Sequence, residues 1–227
     1  MAAECVILLH GLARTSGSLA TLADALAANG YTVANIDYPS RKDTIENLAG
    51  PAIEAGLERC ATGDATAVNV VTHSMGGILL RYYLEQQSIA GLHRIVMLAP
   101  PNQGSKVVDA MRHIPAFALI NGPAGLQLGT GPDSLPLQLG PVQAELGIIA
   151  GNRTINVVLS QFLDNPDDGK VSVASTRVAG MCSFIEMPVN HATMMNNKVV
   201  IGQVGEFLAT GRFNGEGAEN GLCGGSP

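Results

Sequence analysis

Six short apolar runs set the limits on how this chain can fold. They are Cys5–Leu9, Thr32–Ile36, Ala67–Thr72, His93–Leu98, Leu146–Ala150 and Ser183–Met187, each five or six residues long. Most are near-continuous in Val, Ile and Leu and do not alternate with polar residues. A strand of that kind is apolar on both faces and needs cover on both. Amphipathic stretches lie between them. Leu19–Ala28 places Leu19, Leu22, Ala23 and Leu26 on one helical face, with Gly30 as its stop. Thr44–Cys60, Gly76–Gln86 and Asn196–Leu208 also read as helices. Strands alternating with helices predict an α/β fold with a parallel sheet of about six strands and helices on both faces. At 227 residues the chain is expected to form one domain, 1–227.

One stretch interrupts the alternation. Between Leu98 and Leu146 lie 47 residues without a strand-like run. Gly104–His113 predicts a helix with Val107, Val108 and Met111 turned inward. Ile114–Glu145 holds five Gly and five Pro in 32 residues, which argues against a long regular helix. So long an excursion inside a compact domain points to a lid-like insertion, 105–145, over a site. The Gly-rich tail 214–227 is expected to be loosely ordered.

Composition removes several function classes. With 13 basic and 19 acidic residues, the net charge is −6, and no basic stripe offers itself to nucleic acid. No apolar run approaches the roughly 18 residues that an integral membrane segment needs. No signal peptide is visible, so the expectation is a cytoplasmic protein, with a secreted mature form as the alternative. The four cysteines, at positions 5, 60, 182 and 223, form no CxxC and no Cys/His cluster, which leaves no metal site. Cys5 and Cys182 sit in apolar runs and read as small buried hydrophobes. Were the chain secreted, three pairings would be open.

The chemistry concentrates after the third apolar run, in Val70-Val71-Thr72-His73-Ser74-Met75-Gly76-Gly77-Ile78. A buried strand ends, a sharp turn follows and a helix begins, which is the setting of a G-x-S-x-G nucleophile elbow. Thr72 stands where that motif has Gly. A serine at such a turn is exposed above the sheet at a helix start, where dipoles favour developing negative charge. His10-Gly11-Leu12 follows the first strand in the same way. An acyl-transfer site needs two backbone N–H groups aimed at an oxyanion, and Leu12 and Met75 are the natural donors. His10 reads as a buried hydrogen-bonding residue that shapes its loop, and Arg14 as a loop-fixing or substrate-edge residue.

Five histidines are candidates for a base. His73 adjoins Ser74 and is directed elsewhere, His93 begins a strand, and His113 ends the first helix of the insertion. His191 alone lies in a loop between the last apolar run and the last helix, giving the chain order Ser…acid…His. The acid is sought among Asp164, Asp167 and Asp168. Asp168 is preferred because Asp168-Gly169 suits a tight turn that projects the carboxylate, leading into an extended run at Val171–Val173.

With these segments the chain resembles the α/β-hydrolase superfamily, most closely its small bacterial lipases and esterases. One short group of these has alanine at the first elbow position, where this chain has Thr72. Leu98-Ala99-Pro100-Pro101-Asn102-Gln103-Gly104-Ser105, Asp168-Gly169-Lys170-Val171-Ser172-Val173 and Asn190-His191-Ala192-Thr193-Met194-Met195 are also similar to bacterial hydrolases of this type. The resemblance covers residues 4–210. It implies Ser74 as nucleophile, Asp168 as acid, His191 as base and Leu12 and Met75 as oxyanion donors. It also implies a trimmed fold, without the two strands that fuller members carry before the His-Gly loop, and a cap reduced to 105–145.

The expected activity is therefore carboxylic-ester hydrolysis on a small-molecule or lipid ester, with no metal or organic cofactor. A thioesterase, amidase or acyltransferase on the same triad, a cofactor-free haloperoxidase or lyase, and a non-catalytic binding protein are the alternatives. Leu12, Met75, Ile114, Phe117, Leu119 and Met194 are candidates for an acyl pocket, with core packing as the competing reading.

Overall fold

The computed structural model describes residues 4–63 and 65–223. Strands β1 (Glu4–Leu9) and β2 (Thr32–Ile36) are joined through α1 (Ala20–Ala28), and α2 (Ile45–Ala61) leads to β3 (Ala67–His73). Then come α3 (Met75–Gln86), β4 (Leu92–Leu98), α4 (Lys106–Met111), α5 (Pro115–Leu126), α6 (Leu135–Gln138) and β5 (Glu145–Gly151). The chain closes through α7 (Val157–Ser160), α8 (Val173–Thr176), β6 (Ser183–Met187), α9 (Lys198–Thr210) and β7 (Glu219–Asn220).

All six predicted strands are present. They pair in parallel, in the order β2-β1-β3-β4-β5-β6, and β7 adds an antiparallel edge. Side chains of β1 show why the sheet needs two covers. Val6 and Leu8 enter one buried cluster with α1 and α9, whereas Cys5, Ile7 and Leu9 enter the other with α2 and α3. Fully burying each such aliphatic side chain contributes roughly 1.5–3 kcal/mol. On α9 the apolar stripe Val200, Val204, Phe207 and Leu208 is buried, Asn197 caps the start through Val199 N–H and Val200 N–H, and Gly211 ends it at φ 75°.

Three features differ from what the residue pattern predicts. The seventh strand pairs Asn220 with Ser183 and Glu219 with Phe184, so part of the expected loose tail is tied down. Two residues are too few to carry a strand period, which is why the sequence hid it. Residues 224–227 of that tail lie outside the described residues. Next, Asp167 bridges Ser172, and Val173 opens a helical turn capped by Ser172 where an extended run was expected. Finally, the cysteines are paired. Cys5 binds Cys60, with Cα atoms 5.6 Å apart, and Cys182 binds Cys223. Cys5 and Cys60 are 55 residues apart in sequence and meet because α2 packs directly on β1. Gly56 permits that contact, since a Cβ there would lie 2.6 Å from Ile7 Cγ2.

Residues 105–145 hold α4, α5 and α6, and side chains of α4 and α5 stand beside Ser74 at the carboxyl end of β3. Helix α5 breaks at Gly122, whose φ of 66° is followed by Pro123. A Cβ at Gly122 would stand 1.9 Å from Arg41 O, so only glycine fits. Behind the break, Ala124 N–H donates to Asp43 O and Gln127 bonds both Ile45 N–H and Glu46.

Because β1 lies between β2 and β3, the chain leaves β1 in one direction and returns past it in the other. Ligands of open α/β sheets gather beyond the carboxyl ends of strands at such a switch point. Both motifs singled out above end there.

Candidate active site

Ser74 occupies the single residue between β3 and α3, at φ 53° and ψ −123°. Few non-glycine residues adopt positive φ, and those that do so under strain cluster at functional sites. The neighbouring glycines make the turn sterically feasible. A Cβ on Gly76 would lie 2.6 Å from Leu9 O and 2.9 Å from His10 O. One on Gly77 would crowd Pro100, Met97 and Thr72 within 3.1–3.3 Å. Thr72 is fully buried, and its methyl-bearing side chain fits because the helix start rests on glycines.

Ser74 O–H donates to His191 Nε2 at 2.9 Å. His191 Nδ1–H donates to Asp168 Oδ2 at 2.7 Å. The other Asp168 oxygen accepts Lys170 N–H at 2.9 Å and Val171 N–H at 2.8 Å. Backbone and side chain cooperate, because His191 N–H also donates to Asp168 O at 3.0 Å. Asp168 and His191 are buried, and a carboxylate with every oxygen engaged fixes the imidazole in the tautomer that leaves Nε2 free to accept.

Of the three acid candidates, only Asp168 touches a histidine of the site. Asp167 is buried too but accepts from Gly169 N–H and Ser160 O–H. Asp164 is an exposed partner of Lys106. His10 is fully buried, as expected of a loop-shaping residue. Its Nδ1–H donates to Gly11 O, its Nε2 accepts Tyr38 N–H, and its ring stacks on Tyr38 at 4.1 Å. Burial lowers its pKa. His73 turns away from Ser74, and its Nε2–H donates to His191 O at 3.0 Å. Complete burial, reinforced by the His191 ring, holds its pKa well below the ordinary value. This brace on the base was not visible in the sequence, because nothing in residue order says which backbone carbonyl a buried imidazole will meet.

The His-Gly loop lies against the serine. A Cβ on Gly11 would come within 2.9 Å of His73 Nδ1 and 3.1 Å of Ser74 Cβ. Leu12 follows in that loop, and Met75 opens α3, where a backbone N–H has no intrahelical acceptor. Arg14 Nη2 donates to Ala192 O at 3.1 Å.

A cavity of about 270 Å³ opens beside Ser74 and His191, lined by Leu12, Val107, Val108, Met111, Phe117 and Leu128 among others. Leu12 and Phe117 are thus where the acyl-pocket reading put them. Four of its candidates are not. The Met75 side chain is buried in the core on one face of the sheet, and Met194 in the core on the other. Ile114 and Leu119 point to solvent, Leu119 with 84% of its surface exposed. Val107, Val108 and Met111, expected only to face inward from their helix, form the pocket wall. A wider cleft of about 580 Å³, near Arg81 and His93, lies at the amino ends of β4 and β5 and holds none of Ser74, Asp168 and His191. Among the described residues no group of three metal-ligating side chains converges.

A family model of the alpha/beta hydrolase family matches residues 6–191. The chain belongs to the alpha/beta hydrolase family. Solved structures with the same fold include Bacillus licheniformis lipase BlEst2 in mature form, at 20% identity and TM-score 0.70, covering 92% of each chain. The propeptide form of that lipase is matched over 53% of its length. Aspergillus fumigatus lipase B aligns at 13% identity and TM-score 0.66, over 97% of this chain and 54% of its own. An extracellular alpha/beta-hydrolase from a Paenibacillus species aligns at 16% identity and TM-score 0.54, over 92% and 98%. No curated protein matches the chain by sequence. At these identities the likeness is one of fold.

Proposed function

We propose that this hydrolase is a serine carboxylic-ester hydrolase working through an acyl-enzyme. One observation carries the reading: Ser74 Oγ, His191 and Asp168 form a continuous hydrogen-bonded chain, 2.9 Å and 2.7 Å long at its two links, at the wall of an apolar cavity. Ser74 Oγ attacks the acyl carbonyl carbon as His191 Nε2 takes its proton. The tetrahedral oxyanion rests on the backbone N–H groups of Leu12 and Met75. Collapse breaks the bond to the alcohol, which leaves with the proton from His191. Water, deprotonated by the same nitrogen, then releases the acid. Asp168 stays ionised throughout, holding Nδ1–H and stabilising the imidazolium. Insertion 105–145 supplies one wall of the acyl pocket and acts as its cover, and the whole chain works as one catalytic domain.

The cellular setting follows from the cysteines. Two disulfides join four cysteines, and such pairs persist in oxidising compartments. They favour the secreted alternative over the cytoplasmic expectation. Among the described residues no helix is long and apolar enough to cross a membrane.

The test is hydrolysis of p-nitrophenyl esters from acetate to palmitate by the wild type and Ser74→Ala. Turnover that disappears in the variant supports the reading, and the chain-length profile measures the pocket. Equal turnover in both proteins removes Ser74 from the mechanism. Failure on every ester by a folded wild type moves the reading to thioesters or amides.

A further inference from the structure

Two cations stand at the site outside any ion pair among the described residues. Arg14 and Lys170 both line the cavity that contains Ser74 and His191, and no Asp or Glu lines it with them. The guanidinium of Arg14 is spent only on Ala192 O. Asp168, the nearest carboxylate along the chain to Lys170, is buried with both oxygens occupied by His191 and by backbone N–H groups. The two cations also act on each other: desolvation first and the Arg14 charge second lower the pKa of Lys170, against a smaller opposing pull from the Asp168 charge. In a chain of net charge −6, two cations against one inward-facing carboxylate, Asp168, leave this wall of the cavity positive on balance, which favours an anion there.

Their position says which end of an ester carries that anion. Arg14 is anchored on the residue after His191, and Lys170 lies two residues after Asp168, the partner of His191. Both therefore flank the base, which delivers its proton to the departing alcohol. The rest of the wall, with Val107, Val108, Met111 and Phe117, is apolar and suits the acyl chain.

We infer that the preferred substrates are esters whose leaving alcohol bears an anionic group, a phosphate above all, held by Arg14 and Lys170. Arginine offers a planar fork of N–H donors to phosphate oxygens, and lysine adds a compact charge. This inference rests on the reading of Ser74 as nucleophile. A hydrogen bond between charged partners at such a site corresponds to a preference of about tenfold or more.

The experiment uses three short, micelle-free esters with one hexanoyl chain: of glycerol, of glycerol 3-phosphate and of glycolate. The quantity read is kcat/KM for each anionic ester divided by that for the glycerol ester. Expected is a ratio of about 10 or more for the phosphate ester in low salt, falling as salt rises and collapsing towards one in Arg14→Gln and in Lys170→Gln. Lys170→Arg should retain it. A high ratio for the phosphate ester alone assigns the pair to phosphate, and equal ratios for both anionic esters assign it to anionic alcohols in general. A wild-type ratio near one, or a high ratio unmoved by both neutralising variants, overturns the inference. Ser74→Ala run beside them separates the two levels: turnover that survives in it refutes the nucleophile, whatever the ratios.

Discussion

Removing the Cys5–Cys60 disulfide gives the sharpest test of how the sheet is held to its helices. The bond joins the start of β1 to the last turn of α2, both ends buried, across 55 positions of sequence. Closing a loop of that length lowers the entropy of the unfolded chain enough to stabilise the fold by about 4 kcal/mol. At roughly 2.1 cal/mol/K per residue, the unfolding entropy of 227 residues is about 480 cal/mol/K. The double variant Cys5→Ala/Cys60→Ala should therefore melt about 9 °C below the oxidised wild type. Cys5 lies at the amino end of β1, at the opposite end of the strands from Ser74, so ester turnover at 25 °C should stay within about twofold. Scanning calorimetry with and without reductant, beside a p-nitrophenyl ester assay, measures both. Reductant should lower the wild type and leave this pair's contribution absent from the variant. A drop under about 3 °C, or a wild type indifferent to full reduction, would refute the reasoning from loop closure.

Three further outcomes follow from the site. Ser74→Ala and His191→Ala should each lower kcat by about 10⁶, and Asp168→Asn by about 10⁴, because the three residues act as a unit; steady-state rates against folded controls decide this. Gly76→Ala should cost about 1–3 kcal/mol and impair turnover, since its methyl meets two backbone carbonyls that cannot move independently of β1; denaturant midpoints together with kcat/KM read both effects. Stability should fall as pH drops below about 6.5. His73 and His10 have pKa values lowered in the fold, so the unfolded chain binds the extra protons first, each His costing at most about 1.4 kcal/mol per pH unit until its folded pKa is passed. Melting temperatures from pH 7.5 to 5 measure the slope, and His73→Gln should flatten it.

Much of this architecture is legible in residue order, for identifiable reasons. Strands buried on both faces leave unbroken apolar runs, so all six parallel strands could be found. The elbow is a local object, with Ser74, Gly76 and Gly77 within four residues. His191 and Asp168 could be reached through chain order and turn chemistry. What stayed hidden depends on chain segments meeting in space. Met75 and Met194 resemble pocket residues in a linear reading, yet each points into the core beneath its own element. The two-residue β7, the choice of cysteine partners and the contact of His73 with His191 O all arise from packing. So does the pocket wall, because α4 and α5 have similar apolar content and only the fold decides which face meets Ser74.

The break at Gly122 gives α5, which lines the cavity beside the serine, an uneven attachment. Its rear half is stitched to the start of α2 through Ala124 and Gln127, while its front half carries the exposed Leu119 and Ile120. The two halves of α5 therefore answer to different neighbours: the rear to the residues that open α2, the front to Arg41 through Ile120 O and to the core through Phe117. Where they meet, the residue can be nothing but glycine, so a substitution at Gly122 would disturb the wall of the serine cavity and the start of α2 together.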